Sequence, residues 1–273
     1  MKKVLLIDAY NMIHRSRFGW SKGEHAITYT FFRSLKSEIN RHEPDKVYIV
    51  SEGMPKHRLI INKDYKGDRK PIKDPGFHRQ KKEIFETCKM LPLTIIRHPD
   101  YECDDVIGYL STKVHANDEV VICSSDSDFI QLLVRDNVSL WNPVKKSFVE
   151  RWPVDYLTWK SLRGDKTDNV PGIKGVGDKT AMKLASDPEK LRLFLTPEKR
   201  AVFESALSQI TLSDLSNDSN KLESNDYTFD KENLFSSFEE FAFSSITQKS
   251  WNSWLKIMEP LNEKSEPLSQ RDR

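Results

Sequence analysis

The stretch EVVICSSDSDF, residues 119–129, points most directly to the fold of this chain. Its run VVIC is short, apolar and rich in β-branched residues, which is typical of a strand buried on both faces. The strand is followed by two acids, Asp126 and Asp128. Ligands of open parallel sheets bind beyond the carboxyl ends of the strands. The two acids are therefore candidates for a functional site.

The same combination of strand, acid and helix recurs over the first 145 residues. Four further strands are predicted at Val4–Ile7, Lys46–Val50, Leu93–Arg97 and Val138–Trp141. Helices are predicted at Ile27–Arg41, Gly76–Met90 and Glu102–His115. Strands that alternate with helices predict an α/β fold, in which a parallel sheet carries helices on both faces.

The remainder of the chain predicts helices without strands. We expect them at Pro153–Arg163, Asp178–Ala185 and Glu198–Ile210, with a glycine-rich turn between the first two. The tail is polar and acidic, has two aromatic-rich stretches, and ends in a dozen residues that we expect to be disordered. The predicted units are a core at 1–163, a small helical module at 164–212 and a partly helical region at 213–273.

Composition excludes several classes of protein. Of 273 residues, 37% are hydrophobic and 31% charged, and no apolar run approaches the roughly 20 residues of a membrane span. We therefore expect a soluble globular chain. Its three cysteines lie far apart without a CxxC motif, which argues against a disulfide scaffold or a zinc ribbon and fits a reducing cytoplasm.

Charge is distributed unevenly, although the net charge is only +2. Residues 54–90 hold eleven Lys and Arg against five Asp and Glu, whereas residues 213–243 hold two against eight. A basic stretch of +6 favours contact with a polyanion, and the alternative is a solvated helix face. Residues 54–75 also contain three prolines and predict a functional loop or a partly helical lid.

Nine acids follow predicted strands or lie just beyond the sheet. They are Asp8, Glu52, Glu102, Asp104, Asp105, Asp126, Asp128, Asp165 and Asp168. Taken singly, each could cap a helix. In a parallel sheet they converge on one edge, where they would repel each other without cations. Without histidine or cysteine ligands, an all-oxygen site suits Mg²⁺ or Mn²⁺ rather than zinc.

The stretch GIKGVGDKTA, residues 172–181, is a second candidate site. It is not a Walker A loop, because Asp178 interrupts the required Gly-Lys-Ser/Thr, and it lacks the last glycine of GxGxxG. It predicts a tight hairpin whose backbone amides can meet a phosphate. The alternative is a plain helix–turn–helix corner.

Together, YECDD (101–105), SSDSDF (124–129) and GDKTDNVPGIKGVGDKTA (164–181) resemble the motifs of 5′-nucleases. This family includes flap endonucleases, phage 5′→3′ exonucleases and the amino-terminal nuclease domain of bacterial DNA polymerases. The resemblance runs from Val4 to about Asp214, and the stretches WNPVKKSFV and LRGDKTDNV are most similar to the stand-alone phage form. It implies a PIN-like nuclease core with a helical arch, here 54–90, and a helix–three-turn–helix module.

The resemblance also implies roles for particular residues. Metal-site positions fall on Asp8, Glu102, Asp104, Asp105, Asp126, Asp128, Asp165 and Asp168. Glu52 stands where the family usually has Asp, so the carboxylate there is displaced by one methylene. The implied cofactors are two Mg²⁺ or Mn²⁺ ions and a K⁺ ion at the hairpin.

DNA contacts are implied for the arch and the hairpin. Lys66 and Arg69, in DYKGDRK, would lie beside the scissile phosphate. Tyr65 would stack on a terminal base or pack as an ordinary aromatic, and Arg15 would contact a phosphate or be a surface arginine. The hairpin contacts would be Gly172, Lys174, Gly175, Gly177, Lys179 and Thr180.

The expected function is that of a structure-selective 5′-nuclease. It would cleave DNA, and RNA in RNA–DNA hybrids, near a 5′ end or flap during replication or repair, leaving a 5′-phosphate. We expect a cytoplasmic monomer that works with replication proteins. One alternative is a catalytically silent DNA-binding module of the same fold. A PIN-type ribonuclease is less consistent with the hairpin. The motifs leave open whether exonuclease or flap activity dominates.

Overall fold

The computed structural model describes residues 1–225 and 229–264, and its centre is a seven-stranded sheet. The strands are β1 Lys3–Asp8, β2 Lys46–Val50, β3 Thr94–Arg97, β4 Glu119–Cys123, β5 Val138–Asn142, β6 Ser147–Phe148 and β9 Glu223–Asn225. Their spatial order is β6-β5-β4-β1-β2-β3-β9. A separate two-stranded ladder joins β7 Gly164–Asp165 to β8 Val170–Pro171.

The five central strands are parallel, as the sequence predicts. Ile7 of β1 lies opposite Ile49 of β2 on one side and Cys123 of β4 on the other. The strand order reverses between β1 and β4, which places a crevice at their carboxyl ends. The edge strands β6 and β9 pair antiparallel. The sequence did not predict them, because they are two and three polar-rich residues long.

Twelve α-helices surround the sheet within the described residues. They are α1 Ala9–Ser16, α2 Ala26–His42, α3 Lys56–Ile61, α4 Pro75–Cys88, α5 Cys103–Tyr109, α6 Tyr156–Arg163, α7 Asp178–Ala185, α8 Pro188–Phe194, α9 Pro197–Ile210, α10 Lys231–Glu240, α11 Ser244–Thr247 and α12 Trp251–Lys264. None of the described helices is long and apolar enough to cross a membrane.

Alternate residues of the central strands face two hydrophobic cores. Leu5 and Ile7 lie in the core that includes Phe32 of α2, whereas Val4 and Leu6 lie in the core that includes Val106 of α5. Every one of these side chains is fully buried. A strand buried on both faces requires a continuous apolar run, which is the pattern that Val4–Ile7 shows.

One predicted helix differs from the structure, and one observed helix was not predicted. The helix expected at Glu102–His115 is α-helical only to Tyr109 and continues as a wider, π-type turn over Leu110–Val114. There, the hydroxyls of Ser111 and Thr112 both donate to the carbonyl of Gly108, and such bonds compete with the regular helical ladder. Helix α8 was not predicted.

The stretch expected to form an arch divides into parts with different environments. Helix α3 buries Arg58, and α4 packs on α2 through Phe77 and Ile84, so both ends of the stretch belong to the folded body. The continuously exposed part is residues 67–71. The predicted limits of 54–90 are therefore wider than the open segment.

The C-terminal region covers α2. Phe238 of α10 and Trp254 of α12 are buried, and each ring meets Phe32 at centroid distances of 5.3 and 6.4 Å. The aromatic-rich stretches in the sequence therefore form packing surfaces. The expected disorder concerns the last dozen residues, of which 265–273 lie outside the described part of the chain.

Candidate active site

Asp8 ends β1 and begins the site. Its Oδ1 accepts the amide of Asn11 at 2.9 Å, which caps α1, and its Oδ2 accepts the hydroxyl of Ser124 at 2.8 Å. Ser124 directly follows β4, so this bond joins the two strands at the topological switch point. Burial raises the pKa of Asp8 to about 6, although these hydrogen bonds oppose the increase.

Glu52 follows β2 and reaches the beginning of α5. Its Oε2 accepts the amide of Cys103 at 2.7 Å, so Glu52 satisfies one of the free donors at that helix terminus. Burial raises the pKa of Glu52 to about 7, and the negative charges of Glu102 and Asp8 act in the same direction. The structure thus places this longer acid among the others.

Asp104 lies at the centre of the acidic edge. Burial raises its pKa well above the usual range, and the charges of Asp126, Asp8 and Glu52 raise it further. The second contribution comes from like charges, which act at short range. The structure therefore brings together acids from the ends of β1, β2 and β4 and from α5, as the parallel sheet predicts.

Asp128, Asp165 and Asp168 form a second acidic group. Each offers an oxygen within 4.8 Å of oxygens of the other two. Lys160 lies between them and pairs with Asp128 and, at 2.8 Å, with Asp165. Burial raises the pKa of Asp128 to about 6, while at Asp165 the hydrogen bond and charge of Lys160 outweigh burial and lower the pKa.

Lys160 was not identified from the sequence. It lies on α6 in the ordinary amphipathic stretch YLTWKSLR, and nothing in that stretch distinguishes it from other helix lysines. In the structure its side chain is nearly fully buried. A buried ammonium is costly unless it is paired, and the two carboxylates supply the pairing.

Residues of the stretch between α3 and α4 enter the site from above. Lys66 binds Glu102 through its ammonium group and lies 3.7 Å from Asp168, and Arg69 pairs with Asp168. Both cations thus lie against acids of the site, and their expected position beside a scissile phosphate stays a prediction. Tyr65 is only 6% exposed and donates its hydroxyl to Glu102 at 3.0 Å. Its buried ring has no open face for a base, so stacking does not fit this structure and the alternative, a packed aromatic, does.

Asp105 is held by donors of the protein itself. Both of its carboxylate oxygens accept hydrogen bonds from Arg58, at 2.7 and 2.8 Å, and one accepts the amide of Ser213. The side chain is fully buried. Glu102 shares the same guanidinium, so the two acids lie together, and the metal role expected of Asp105 stays a prediction.

The acids fit divalent cations that prefer oxygen ligands. Burial raises the pKa values of Asp8, Glu52 and Asp104, and the charges of neighbouring carboxylates raise them further. The ligand set contains oxygens and no neutral imidazole, which suits Mg²⁺ or Mn²⁺. One group would comprise Asp8, Glu52, Glu102, Asp104 and Asp126, and the other Asp128, Asp165 and Asp168.

The hairpin lies beyond the site, between β8 and α7. Lys174, Gly175, Gly177, Lys179 and Thr180 are all exposed. Gly175 has φ +82°, a conformation that favours glycine, whereas a side chain at Gly177 would meet open space.

Gly172 has a packing role. A Cβ there would lie 2.1 Å from the carbonyl oxygen of Arg163, so this glycine is needed for the close approach of two backbone segments. Its assignment as a DNA contact therefore lacks support in the structure. Arg15 lies half-buried on α1.

The comparisons with known proteins agree with this geometry. The family model described as "5'-3' exonuclease, N-terminal resolvase-like domain" matches residues 3–157. A 5'-3' exonuclease of Aquifex aeolicus (strain VF5) is 38% identical over 205 residues, 67% of this chain and 69% of that protein. A thermostable DNA polymerase I of Thermus filiformis is 32% identical over 200 residues, 68% of this chain. The match spans about a quarter of that polymerase, 24% of its length.

Solved structures show the same fold. The T5 D15 protein, co-crystallised with metal ions, aligns with a TM-score of 0.61 at 18% identity, over 97% of this chain and all of that one. Flap endonuclease-1 from Methanococcus jannaschii aligns with a TM-score of 0.59 at 14% identity, over 96% and 92% of the two chains.

The doubly wound sheet with acids at its carboxyl edge is the fold that this chain shares with the T5 D15 protein. The family match and the Aquifex relative show that the chain belongs to the 5′–3′ exonuclease family.

Proposed function

We propose that this protein is a structure-selective, divalent-metal-dependent 5′-nuclease that hydrolyses phosphodiesters near 5′ ends or flaps of DNA. The observation that carries the proposal is the convergence of acids from β1, β2, β4, α5 and the β7–β8 ladder on one edge of the sheet. That edge lies beneath the basic segment at residues 62–71. The same arrangement would serve a phosphate chain, which needs both cations and basic side chains.

When bound, two metal ions would activate a water molecule and stabilise charge on the attacking and leaving oxygens. The contribution of the protein is to hold the acidic side chains in fixed orientations. Asp8 is fixed by Asn11 and Ser124, and Glu52 by the amide of Cys103, before any ligand enters. Such pre-organisation avoids rearrangement during the reaction.

Lys66 has the best position to assist the chemical step. Its ammonium lies between Glu102 of the first acidic group and Asp168 of the second, where the scissile phosphate would sit. A lysine that stabilises developing negative charge lowers the barrier more than it strengthens binding. Arg69, about half exposed, would hold the neighbouring phosphate.

DNA would be held by two further surfaces. The exposed residues 67–71 would contact the 5′ single strand, and the hairpin with Lys174 and Lys179 would contact backbone phosphates of the duplex. We also propose the finer details that the family resemblance implies: Mg²⁺ as the metal, K⁺ at the hairpin, a 5′-phosphate product, and RNA–DNA hybrids as a second substrate. A monomer working with replication proteins in the cytoplasm completes the proposal.

The decisive experiment uses 5′-labelled duplexes with a flap, a nick, a gap or a hybrid end, incubated with Mg²⁺, Mn²⁺ or Ca²⁺. We expect cleavage of flap or recessed substrates with Mg²⁺ and Mn²⁺, and binding without cleavage in Ca²⁺, whose looser shell misplaces the reactants. Lys66→Ala should lower the single-turnover rate more than it weakens binding. Equal binding without cleavage in any of the three metals would instead indicate a silent DNA-binding module.

A further inference from the structure

Arg58 is a buried cation whose Nε, Nη1 and Nη2 atoms all donate hydrogen bonds within the protein. It lies on α3 and is 2% exposed. Its Nη1 donates to Oε2 of Glu102 and to Oδ2 of Asp105, both at 2.7 Å, and its Nη2 donates to Oδ1 of Asp105 at 2.8 Å. Its remaining bonds go to the backbone carbonyls of Gln209 at 2.8 Å and Thr211 at 3.3 Å.

These partners come from two separate parts of the molecule. Glu102 and Asp105 flank the beginning of α5, in the acidic edge. Gln209 and Thr211 lie at the end of α9, the last helix of the helical module. Carbonyls at a helix C-terminus lack intrahelical partners and carry the negative end of the helix dipole, so a cation is favoured there. A single guanidinium therefore joins the acids to the module.

Two further hydrogen bonds join the segment after α9 to elements of the acidic edge. The amide of Ser213 donates to Asp105 at 2.8 Å, and the amide of Leu212 donates to Gln131 at 3.0 Å. The chain just after α9 is thus bound to two elements that carry site acids, α5 and the turn after β4. A small apolar cluster of Tyr65, Val170, Ala206 and Ile210 packs the segment after α3 against α9.

Only arginine can make this set of contacts. The guanidinium is a rigid planar fork whose donors point in several fixed directions, whereas a lysine ammonium is a point charge with three donors. If lysine replaced Arg58, its ammonium could not satisfy both carboxylates and both carbonyls that surround the guanidinium. An unsatisfied acceptor in a buried site is costly.

We propose that Arg58 is a positioning residue that couples duplex docking on the helical module to divalent-metal binding at the acidic edge. This rests on the proposed function for the identity of the duplex and the metal. A shift at the end of α9 moves the carbonyls that hold Arg58, and Arg58 moves with Glu102 and Asp105. By linkage, duplex and metal must strengthen each other's binding by the same factor.

The test measures binding without cleavage. The duplex is a closed DNA dumbbell, which has no 5′ end, and Mn²⁺ is the metal because free Mn²⁺ is counted directly by electron paramagnetic resonance. In the wild type, Mn²⁺ should tighten dumbbell binding. Arg58→Lys should bind Mn²⁺ about 10- to 100-fold more weakly and lose most of this coupling, as for other residues that orient metal ligands. Its metal-free dumbbell affinity should stay within about twofold of the wild type, since Arg58 touches no DNA surface.

Arg97→Lys is the matched control. Arg97 pairs with Glu223 at the far edge of the sheet, so the same replacement there should alter neither Mn²⁺ affinity nor coupling. The proposal is overturned if Arg58→Lys keeps wild-type coupling, whether or not its Mn²⁺ affinity changes. It is equally overturned if Arg97→Lys shows the same losses.

Hydrogen exchange of the wild-type protein tests the connection if Arg58→Lys does not fold. Mn²⁺ should slow exchange of the amides of Leu212 and Ser213, whose bonds lead to the acidic edge, and leave α10 unchanged. Unchanged exchange at both amides would overturn the proposal. These measurements need no catalysis, so an inactive wild type would remove the proposed function and leave the Arg58 result standing.

Discussion

The acidic edge and the glycine hairpin, the two regions proposed to contact DNA, differ in burial and in rigidity of their side chains. At the edge, Asp8 and Glu102 are buried and fixed by hydrogen bonds from neighbouring elements. At the hairpin, Lys174, Gly177 and Lys179 are exposed. Catalysis requires groups held in place in a poorly solvated site, whereas the binding of backbone phosphates requires exposed amides and exposed cations.

This difference predicts two kinds of defect. Charges at the edge interact strongly because little water separates them, while charges at the hairpin are screened by salt. Substitutions at the edge should therefore lower the rate of the bound complex. Substitutions at the hairpin should lower affinity and leave the rate of the bound complex unchanged.

The largest effect is expected for Asp126→Asn. The amide keeps the size and the acceptor oxygen that receives the amide of Asp128, but it removes the charge that a metal requires. We expect the single-turnover rate to fall by about a thousandfold, the scale of metal-ion stabilisation. Duplex affinity in Ca²⁺ should remain near normal. Wild-type turnover at low Mg²⁺ would contradict the placement of Asp126 at a metal.

Glu52 tests whether an acid can combine capping with metal binding. Glu52→Gln can still accept the amide of Cys103, so it removes only the charge, and we expect about a hundredfold loss of rate. Glu52→Asp keeps the charge with a shorter reach, and should work poorly with Mg²⁺, which demands near-ideal geometry, and better with Mn²⁺. If both variants show small losses without metal dependence, Glu52 is only a cap of α5.

The pH dependence of protein stability tests the burial of the acidic edge without DNA. Burial raises the pKa of Glu52 from 4.5 to about 7 and that of Asp8 from 3.8 to about 6. At a pH between the usual and the raised pKa of each acid, the folded state therefore holds more protons than the unfolded state. Metal-free stability must then fall as pH rises from about 4.5 to 7, by about 3 kcal/mol for Glu52. Thermal melts should show this slope, shallower in Glu52→Gln. A rise of melting temperature with pH over the window would contradict the assignment.

Two hairpin glycines should respond differently to valine. Gly175 has φ +82°, so Gly175→Val should cost about 1–2 kcal/mol of strain and weaken duplex binding. Gly177 has an extended backbone with open space around it, so Gly177→Val should leave the melting temperature unchanged and weaken duplex binding only by blocking close approach of a phosphate. Unchanged affinity in Gly177→Val would remove its amide from the contact surface.

The smallest effect is expected for Lys179→Ala. If Lys179 makes one phosphate contact, the slope of log affinity against log salt should become shallower by about one. The bound-state rate should not change. An unchanged slope would remove Lys179 from the DNA contacts.

The sequence by itself determined the framework of the site. Apolar runs such as Val4–Ile7 and Glu119–Cys123 identified the parallel strands, because a strand buried on both faces needs a continuous apolar run. Helix α7 was predicted at Asp178–Ala185 and is observed there. Convergence of the acids followed, since parallel strands end at one edge.

Tertiary structure alone decided which side chains meet within that framework. Arg58 finds partners between 44 and 153 residues away, and Lys160 reaches Asp128 across 32. These pairings bind Asp105 to a guanidinium and enclose Tyr65, neither of which the local motifs indicated. The spacing of apolar residues along a segment indicates which of its faces becomes buried. The choice of partner for a buried charge depends on desolvation, which exists only once distant segments have packed together.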